Sequence, residues 1–88
     1  MAIDQKRRRE LIAAGHALRA SISVSAEGVS ERVVAHIREA LAHHELVKVR
    51  VQTDDRADCD RIAAELAKAL GCELVQRVGR VALLHRAH

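Results

Sequence analysis

The sequence predicts an α/β fold, a two-layer α+β arrangement of the order αβαβαββ, in which helices pack on a mixed four-stranded sheet. Segments with the apolar spacing of a helix alternate with segments that have the two-residue period of a strand. Strands separated by helices need crossover connections, whereas the last two strands are close enough in the chain to form a hairpin. The 88 residues, 49% of them hydrophobic, suffice for one core, so we expect a single domain over residues 1–88.

The first helix is expected over residues 6–18, and a short strand with alternating polar and apolar residues follows over residues 21–25. The apolar face of this helix consists of Leu11, Ala14 and Leu18. Gly15 weakens the helix by about 1 kcal/mol relative to Ala. Four consecutive cations lead the helix, namely Lys6, Arg7, Arg8 and Arg9. Because the N-terminal end of a helix dipole disfavours cations, their position indicates a purpose other than helix stability.

The second helix and the second strand have clearer signals. Ser30 is a natural N-cap for a helix that is expected to run to about residue 43. Its apolar stripe consists of Val33, Val34, Ile37, Ala40 and Leu41. Residues 46–52 form the clearest strand, because three valines alternate with Lys48 and Arg50. One face of this strand is therefore expected to be buried and the other to be cationic.

The third helix and the final hairpin complete the predicted order. The acids at the start of this helix offer an N-cap and complement its dipole, and the helix is expected to run to about residue 70. Its inward stripe consists of Cys59, Ile62, Ala63, Leu66 and Leu70. Gly71 suits the position after a helix end. Residues 73–78 and 81–85 are the last two strands, and the tight connection between them favours an antiparallel hairpin.

The charge pattern favours contact with phosphate and excludes aromatic stacking. The chain has 15 cationic and 12 acidic side chains, a formal net charge of +3, and twelve of the cations are Arg. A planar guanidinium can hold a phosphate through two hydrogen bonds, although a GC-rich genome also raises the Arg content. Phe, Trp and Tyr are all absent, so the core must be aliphatic and no base can stack on an aromatic side chain.

Several classes of protein are disfavoured. No apolar run reaches the roughly 20 residues of a membrane helix, and the N-terminal residues lack the apolar segment of a secretory signal. We therefore expect a cytoplasmic protein without a membrane partner. Cys59 and Cys72 are too few for a disulfide framework and form no CxxC pair, so free, packed thiols are expected. No phosphate-binding loop or nucleophile elbow is present, and we predict no catalytic residue and no cofactor.

A small metal or redox protein is the weakest alternative. The possible ligands are the two cysteines together with His16, His36, His43, His44, His85 and His88. No two histidines have the HxxxH spacing. His36 and His43 are seven residues apart and can share a helix face, but no third ligand is identified. Ordinary surface histidines are the preferred interpretation, and no metal site is predicted.

Three blocks of the chain carry a resemblance to a known family. They are GHAL at residues 15–18, EALAHHELVKV at residues 39–49, and LVQRVGR at residues 74–80, continuing through residue 84. In their order and spacing, over residues 6–86, the chain resembles the CRM domain, in particular the bacterial single-domain YhbY type linked to assembly of the large ribosomal subunit. The resemblance implies the order αβαβαββ, similar to the C-terminal domain of translation initiation factor three.

The resemblance also implies a function, the binding of structured RNA. The RNA would be ribosomal RNA or a precursor of the large ribosomal subunit, and a ribosomal protein is a further candidate partner. The implied surface combines basic residues of the first helix, a GxxG loop and neighbouring cations. It consists of Lys6, Arg7, Arg8, Arg9, Arg19, Gly28, Lys48, Arg50 and Arg80.

The loop after the first strand departs from the family's GxxG pattern. It reads Ser25-Ala26-Glu27-Gly28, so only the second glycine is present and an acid stands between the two positions. Glu27 would repel a phosphate, and Ser25 cannot adopt a positive φ as easily as Gly does. A second hypothesis is therefore a protein-interaction module that keeps the CRM scaffold with weakened affinity for RNA.

Overall fold

The computed structural model describes residues 4–86, and these residues have the predicted element order. The elements are α1 (Gln5–Gly15), β1 (Ile22–Ser25), α2 (Glu31–His43), β2 (Leu46–Gln52), α3 (Arg56–Leu70), β3 (Glu73–Val78) and β4 (Val81–His85). The strands form one sheet in the order β1-β2-β4-β3, in which β1 is parallel to β2 and the other two pairs are antiparallel. The predicted mixed four-stranded sheet, and with it the predicted fold class, is confirmed.

The larger core lies between the sheet and the helices α2 and α3. Strand alternation turns the three valines of β2 toward these helices, and none of them is more than 5% exposed. The helices contribute Ile37, Leu41, Cys59, Ile62 and Leu66. Cys59 is 2% exposed, so the prediction that it packs in the core is confirmed. Burial of aliphatic surface, at roughly 25 cal/mol per Å², thus stabilises this face without any aromatic side chain.

The opposite face of the sheet is covered by α1. Leu11 of α1 packs there against Val75 and Leu83 in a second, smaller cluster. Strand β4 serves both clusters, because Leu83 faces α1 and its neighbour Leu84 faces α2 and α3. Helices therefore pack on both faces of the sheet, so the two-layer part of the predicted arrangement was wrong. The sequence pattern did not indicate which face each helix covers.

α1 is shorter than predicted and uses a different inward face. It ends at Gly15 rather than at residue 18, Ala14 is exposed, and Leu18 is 37% exposed. Two of the three predicted inward residues therefore face solvent, and this prediction was wrong. Gly15 is buried instead, and a Cβ atom at this position would lie 2.7 Å from Cδ2 of Leu83. The missing side chain lets the end of the helix approach the sheet closely, which sets the inward face of α1.

The ends of α2 and α3 follow the predicted local signals. The Ser30 hydroxyl accepts a hydrogen bond from the amide of Val33 at 3.2 Å, and the Asp55 carboxylate accepts one from the amide of Asp58 at 3.1 Å. Gly71 follows α3 with a φ of +64°, a left-handed conformation that glycine adopts at low cost. The predicted cap Ser30 and the C-terminal glycine are confirmed, and among the candidate caps at residues 53–55 the structure selects Asp55.

Candidate nucleic-acid interface

The sheet face on the α1 side has a polar, uncovered part at the β1-β2 edge. Ser23 of β1 is the strand partner of Arg50 of β2, and both side chains are exposed. The amide Nε2 of Gln52 donates a hydrogen bond to the Ser23 hydroxyl at 3.2 Å. Neither Ser23 nor Gln52 is among the site residues predicted from the sequence. The signal for Gln52 was the alternation of β2, which puts it on the same face as Lys48 and Arg50.

Four of the predicted cations make no hydrogen bond or ion pair within the part of the chain that the structure describes. They are Lys6, Arg9, Arg19 and Arg50, and all four are exposed. Lys6 and Arg9 are three residues apart in α1 and so lie on neighbouring positions of one helix face. Arg19 lies in the segment between α1 and β1. These four charges are available to an external anion.

Arg7 and Arg8 instead hold the start of α1 against the sheet. Nη1 of Arg8 donates to the carbonyl oxygen of Val75 at 2.6 Å, and Nη2 of Arg7 pairs with Oε1 of Glu45 at 2.5 Å. The same carboxylate oxygen lies 3.0 Å from Nε2 of His85. The hydrogen bond to His85, and after it the charge of Arg7, lower the pKa of Glu45 below its usual value. Half of the basic run is thus engaged within the protein.

Lys48 holds the other end of α1. Its Nζ donates to the carbonyl oxygens of Gly15 at 3.0 Å and of Leu18 at 3.3 Å. α1 has no basic residue in its last turn, so Lys48 supplies the cation that the C-terminal end of the helix dipole favours. Because carbonyl groups carry no net charge, the ammonium group still contributes its full positive charge to this face.

The loop after β1 uses its amides internally. The Ser25 hydroxyl accepts from the amide of Glu27 at 3.1 Å, and the Ser25 carbonyl accepts from the amide of Gly28 at 3.0 Å. Gly28 has a φ of +104°, whereas Ser25 lies in a strand without a positive φ. Ser25 therefore causes no backbone strain, contrary to the expectation from the GxxG pattern. Two amides that could meet a phosphate are nevertheless already bonded.

Arg80 occupies the tip of the β3-β4 hairpin, beside the C-terminal end of β2. Its carbonyl oxygen accepts a hydrogen bond from the amide of Val51 at 2.7 Å. Its guanidinium forms an ion pair with Asp54. The charge of Arg80 is therefore largely balanced by that carboxylate, in contrast to Arg50.

Positive charge is concentrated on the α1 side of the molecule. α1 contains four cationic residues and one acidic residue, whereas α2 contains two of each and α3 three of each. β2 adds Lys48 and Arg50 without an acidic residue. An asymmetric field of this kind attracts an anionic polymer to one side of the protein. Within residues 4–86, no helix combines the length and the apolar character that a membrane crossing requires.

The histidines and thiols are dispersed over the fold. Within residues 4–86 no three His, Cys, Asp or Glu side chains are grouped so that they could hold a metal ion, and His88 lies outside the described residues. Cys59 is buried and Cys72 is half-buried, and neither is in a disulfide. Burial raises the pKa of the Cys72 thiol to about 11, so this thiol is protonated and weakly nucleophilic at neutral pH.

Comparison with known proteins finds relatives over nearly the whole chain. Residues 3–86 match the CRS1 / YhbY (CRM) domain family. A probable RNA-binding protein of Pseudomonas aeruginosa is 34% identical over 86 residues, which cover 98% of this chain and 83% of that protein. An RNA-binding protein of Haemophilus influenzae is 31% identical over 84 residues, which cover 96% of this chain and 85% of that protein.

The similarity extends to a third relative and to a solved structure. The probable RNA-binding protein YqeI of Bacillus subtilis is 32% identical over 81 residues, which cover 92% of this chain and 84% of that protein. The solution structure of a hypothetical protein from Staphylococcus aureus matches with a TM-score of 0.87 at 26% sequence identity. This match covers 99% of this chain and 91% of that one, so the whole arrangement of helices and strands is shared.

Proposed function

Because the chain belongs to the CRS1 / YhbY (CRM) domain family, we propose that it is an RNA-binding protein and that its α1 side contacts the RNA. The relatives from Pseudomonas aeruginosa, Haemophilus influenzae and Bacillus subtilis are named for RNA binding. The observation that carries the proposal is the position of the four cations that lack an intramolecular partner within the described residues. They lie on α1, on the uncovered sheet face and on the segment between these two, while α2 and α3 are formally neutral.

We propose further that the RNA is structured ribosomal RNA, free or within a precursor of the large subunit. Two observations support this choice. The block at residues 39–49 resembles the family type linked to large-subunit assembly, and the absence of aromatic residues favours backbone and shape contacts over base stacking. On this proposal the protein acts in the cytoplasm without a cofactor or a catalytic step, and a ribosomal protein is its second candidate partner.

The nine predicted site residues have different roles on this proposal. Lys6, Arg9, Arg19 and Arg50 bind phosphates directly. Arg7, Arg8 and Lys48 hold α1 on the sheet, and Lys48 has one further donor with which it can also bind a phosphate. Gly28 and Arg80 lie near the C-terminal end of β2, at the margin of the surface. They contribute less to RNA binding than the four direct phosphate contacts do.

The salt dependence of RNA binding tests this proposal. Each phosphate contact releases counterions, so log K should fall linearly with log salt for the wild type, measured with a ribosomal RNA fragment. The double variant Lys6→Ala, Arg9→Ala should bind more weakly at low salt, and its slope should be smaller by about 2. The matched control is Arg32→Ala, Lys68→Ala, which removes the same charge from exposed positions of α2 and α3. The control should change neither affinity nor slope.

Two outcomes would contradict the proposal. The first is a wild-type protein that does not retard ribosomal RNA at low salt. The second is an equal loss of affinity in the α1 variant and in the control, because the side of the molecule would then not matter.

A protein-interaction module is the second candidate, and the loop after β1 favours it. Glu27 is acidic, and two amides of this loop are already bonded within it. The double change Ser25→Gly, Glu27→Lys restores the family's loop and removes one of these bonds. Under this hypothesis the wild type binds RNA weakly and the variant gains at least about tenfold in affinity. An unchanged affinity would argue against it.

A further inference from the structure

An apolar cavity of about 270 Å³ opens between the end of α1 and the β3-β4 hairpin. Val78, Val81 and Leu83 form its floor, and Gly15 and His16 at the end of α1 form one wall. We refer to it as the α1 cleft. It lies on the same face of the sheet as the exposed side chain of Arg50.

The floor of the α1 cleft is exposed at Val78 and half-buried at Val81, whereas Leu83 is only 4% exposed. Val78 is 61% exposed, and it is the strand partner of Val81, which is half-buried. Leu18 is the one other large apolar side chain that is exposed among the described residues. It does not line the cleft. Contiguous exposed apolar surface favours contact with another molecule, because burial of this surface is favourable.

Cations of β2 stand directly beside this floor. Arg50 is the strand partner of Val81, and Val81 is the strand partner of Val78, so the three residues form one row across the sheet. Lys48, Leu83 and Gln76 form the next row in the same way. Strand partners in antiparallel pairs have Cα atoms roughly 4.5–5.5 Å apart and point to the same face. Each row therefore places one positive charge a single strand away from the apolar floor.

The polar groups at the rim of the α1 cleft can form hydrogen bonds with a nucleotide. Gln76 and His16 line the cleft and offer hydrogen-bond donors and acceptors, and the lining contains no acidic residue. Nζ of Lys48 uses two of its three donors on carbonyl oxygens, which leaves one for an external group. An apolar peptide side chain would fill the floor but would leave the adjacent cations without a partner. A nucleotide suits both features, because its base can pack on the apolar floor and its phosphates can pair with the adjacent cations.

We propose that the α1 cleft receives the base of an unpaired nucleotide, while Arg50 and Lys48 hold the phosphates beside it. The proposal rests on the proposed RNA binding and deepens it. It names the structural element of the RNA that is recognised, a nucleotide extruded from a helix or loop. In a chain without aromatic residues, packing of the base on Val78 and Val81 takes the place of stacking.

The test compares three RNA hairpins of one sequence, which carry a single bulged adenosine, an abasic nucleotide at that bulge, or no bulge. The wild type should bind the adenosine hairpin roughly three- to tenfold more tightly than the abasic hairpin, because only the former has a base to bury. Val78→Ser should abolish this difference. Leu18→Ser, a change at the other exposed apolar residue, should preserve it.

A second measurement on the unaltered protein locates the base. The methyl NMR signals of Val78 and Val81 should shift when the adenosine hairpin binds and stay in place with the abasic hairpin. Methyl signals of Val34 on α2 serve as the control, because α2 lies on the far side of the sheet.

The outcomes separate this inference from the proposed function. If none of the hairpins binds at low salt, RNA binding itself is wrong and the inference falls with it. If the hairpins bind but the adenosine and abasic forms do so equally, RNA binding stands and the inference is overturned. The inference is also overturned if Val78→Ser keeps the wild-type difference, or if it only alters self-association in sedimentation.

Discussion

Adjacent cations of α1 have different roles. Lys6 and Arg9 are exposed and make no polar contact with the described part of the chain, whereas Arg7 and Arg8 bind Glu45 and the carbonyl of Val75. The cause is helix geometry, since successive side chains point about 100° apart around the axis. Substitution of the whole run by Ala would therefore mix the loss of the proposed phosphate contacts with the loss of helix docking.

Single substitutions should separate these two effects. Arg8→Ala is expected to lower the free energy of unfolding by about 1–2 kcal/mol, because the half-buried carbonyl of Val75 loses its donor. Arg9→Ala should change stability by less than about 0.5 kcal/mol and weaken RNA binding instead. Urea unfolding and RNA titration of both variants measure the two quantities. Equal destabilisation by the two changes would contradict the assigned roles.

Glu45 should make stability depend on pH in the acidic range. Its pKa is lowered in the folded protein, chiefly by the hydrogen bond to His85 and then by Arg7. A lowered folded pKa stabilises the protein above the unfolded value of 4.5, and this contribution is lost as the pH falls through the folded pKa. The difference between the urea midpoints of the wild type and of Glu45→Gln should therefore be largest at neutral pH and should shrink as the pH falls below 4.5. A constant difference across this range would contradict the role of the carboxylate.

At the scale of the elements, α1 is held on the sheet at both ends. Arg7 and Arg8 bind near its start, and Lys48 binds the carbonyl groups of its last turn. Between these contacts Leu11 packs on Val75 and Leu83, and Gly15 allows the helix end to approach the sheet. The position of α1 therefore sets both the spacing of the surface cations and the shape of the α1 cleft.

Gly15→Ala tests the close approach of α1 to β4. A Cβ atom at this position would lie 2.7 Å from Cδ2 and 3.1 Å from Cδ1 of Leu83, so the Leu83 side chain, which is packed against Leu11 and Val75, would have to shift. Overpacking is expected to lower the free energy of unfolding by about 1–2 kcal/mol, although Ala is the better helix former. Thermal and urea unfolding measure the loss.

The same substitution in a Leu83→Ala background provides the control. There the added methyl group has space, so the cost of Gly15→Ala should fall toward zero or become a gain. An equal cost in both backgrounds would show that the contact with Leu83 is not its cause.

At the scale of the whole molecule, the two sides of the sheet differ in charge. The α2-α3 side carries balanced charges, and the α1 side carries the excess. The larger apolar core lies under α2 and α3, on the side of the sheet opposite to the proposed RNA surface. Most substitutions on the α1 surface should therefore affect binding more than folding.

A binding footprint should follow this division. On addition of ribosomal RNA, amide hydrogen exchange is expected to slow in α1, in the segment around Arg19 and in the hairpin that borders the α1 cleft. Exchange in the exposed turns of α2 and α3 should stay unchanged. Protection confined to α2 and α3 would contradict the proposal, because the RNA would then bind on the α2-α3 side of the sheet.

Much of the fold was predictable because its signals are local. The alternation of β2, the N-caps Ser30 and Asp55, and Gly71 after α3 each act over a few residues, and the structure confirms each of them. The end of α1 was not predictable in the same way. It depends on Leu83 and Lys48, which are far from α1 in the chain.

The sequence by itself determined the element order, the aliphatic core, the excess of Arg and the exclusion of aromatic stacking, because composition and short-range periodicity are enough for these. Only the tertiary structure decided which cations are available to a partner. Arg7 meets a carboxylate 38 residues away and Arg8 a carbonyl 67 residues away, and no local pattern encodes such pairings. The α1 cleft has the same origin, because α1, β2 and the β3-β4 hairpin meet there only after the sheet has formed.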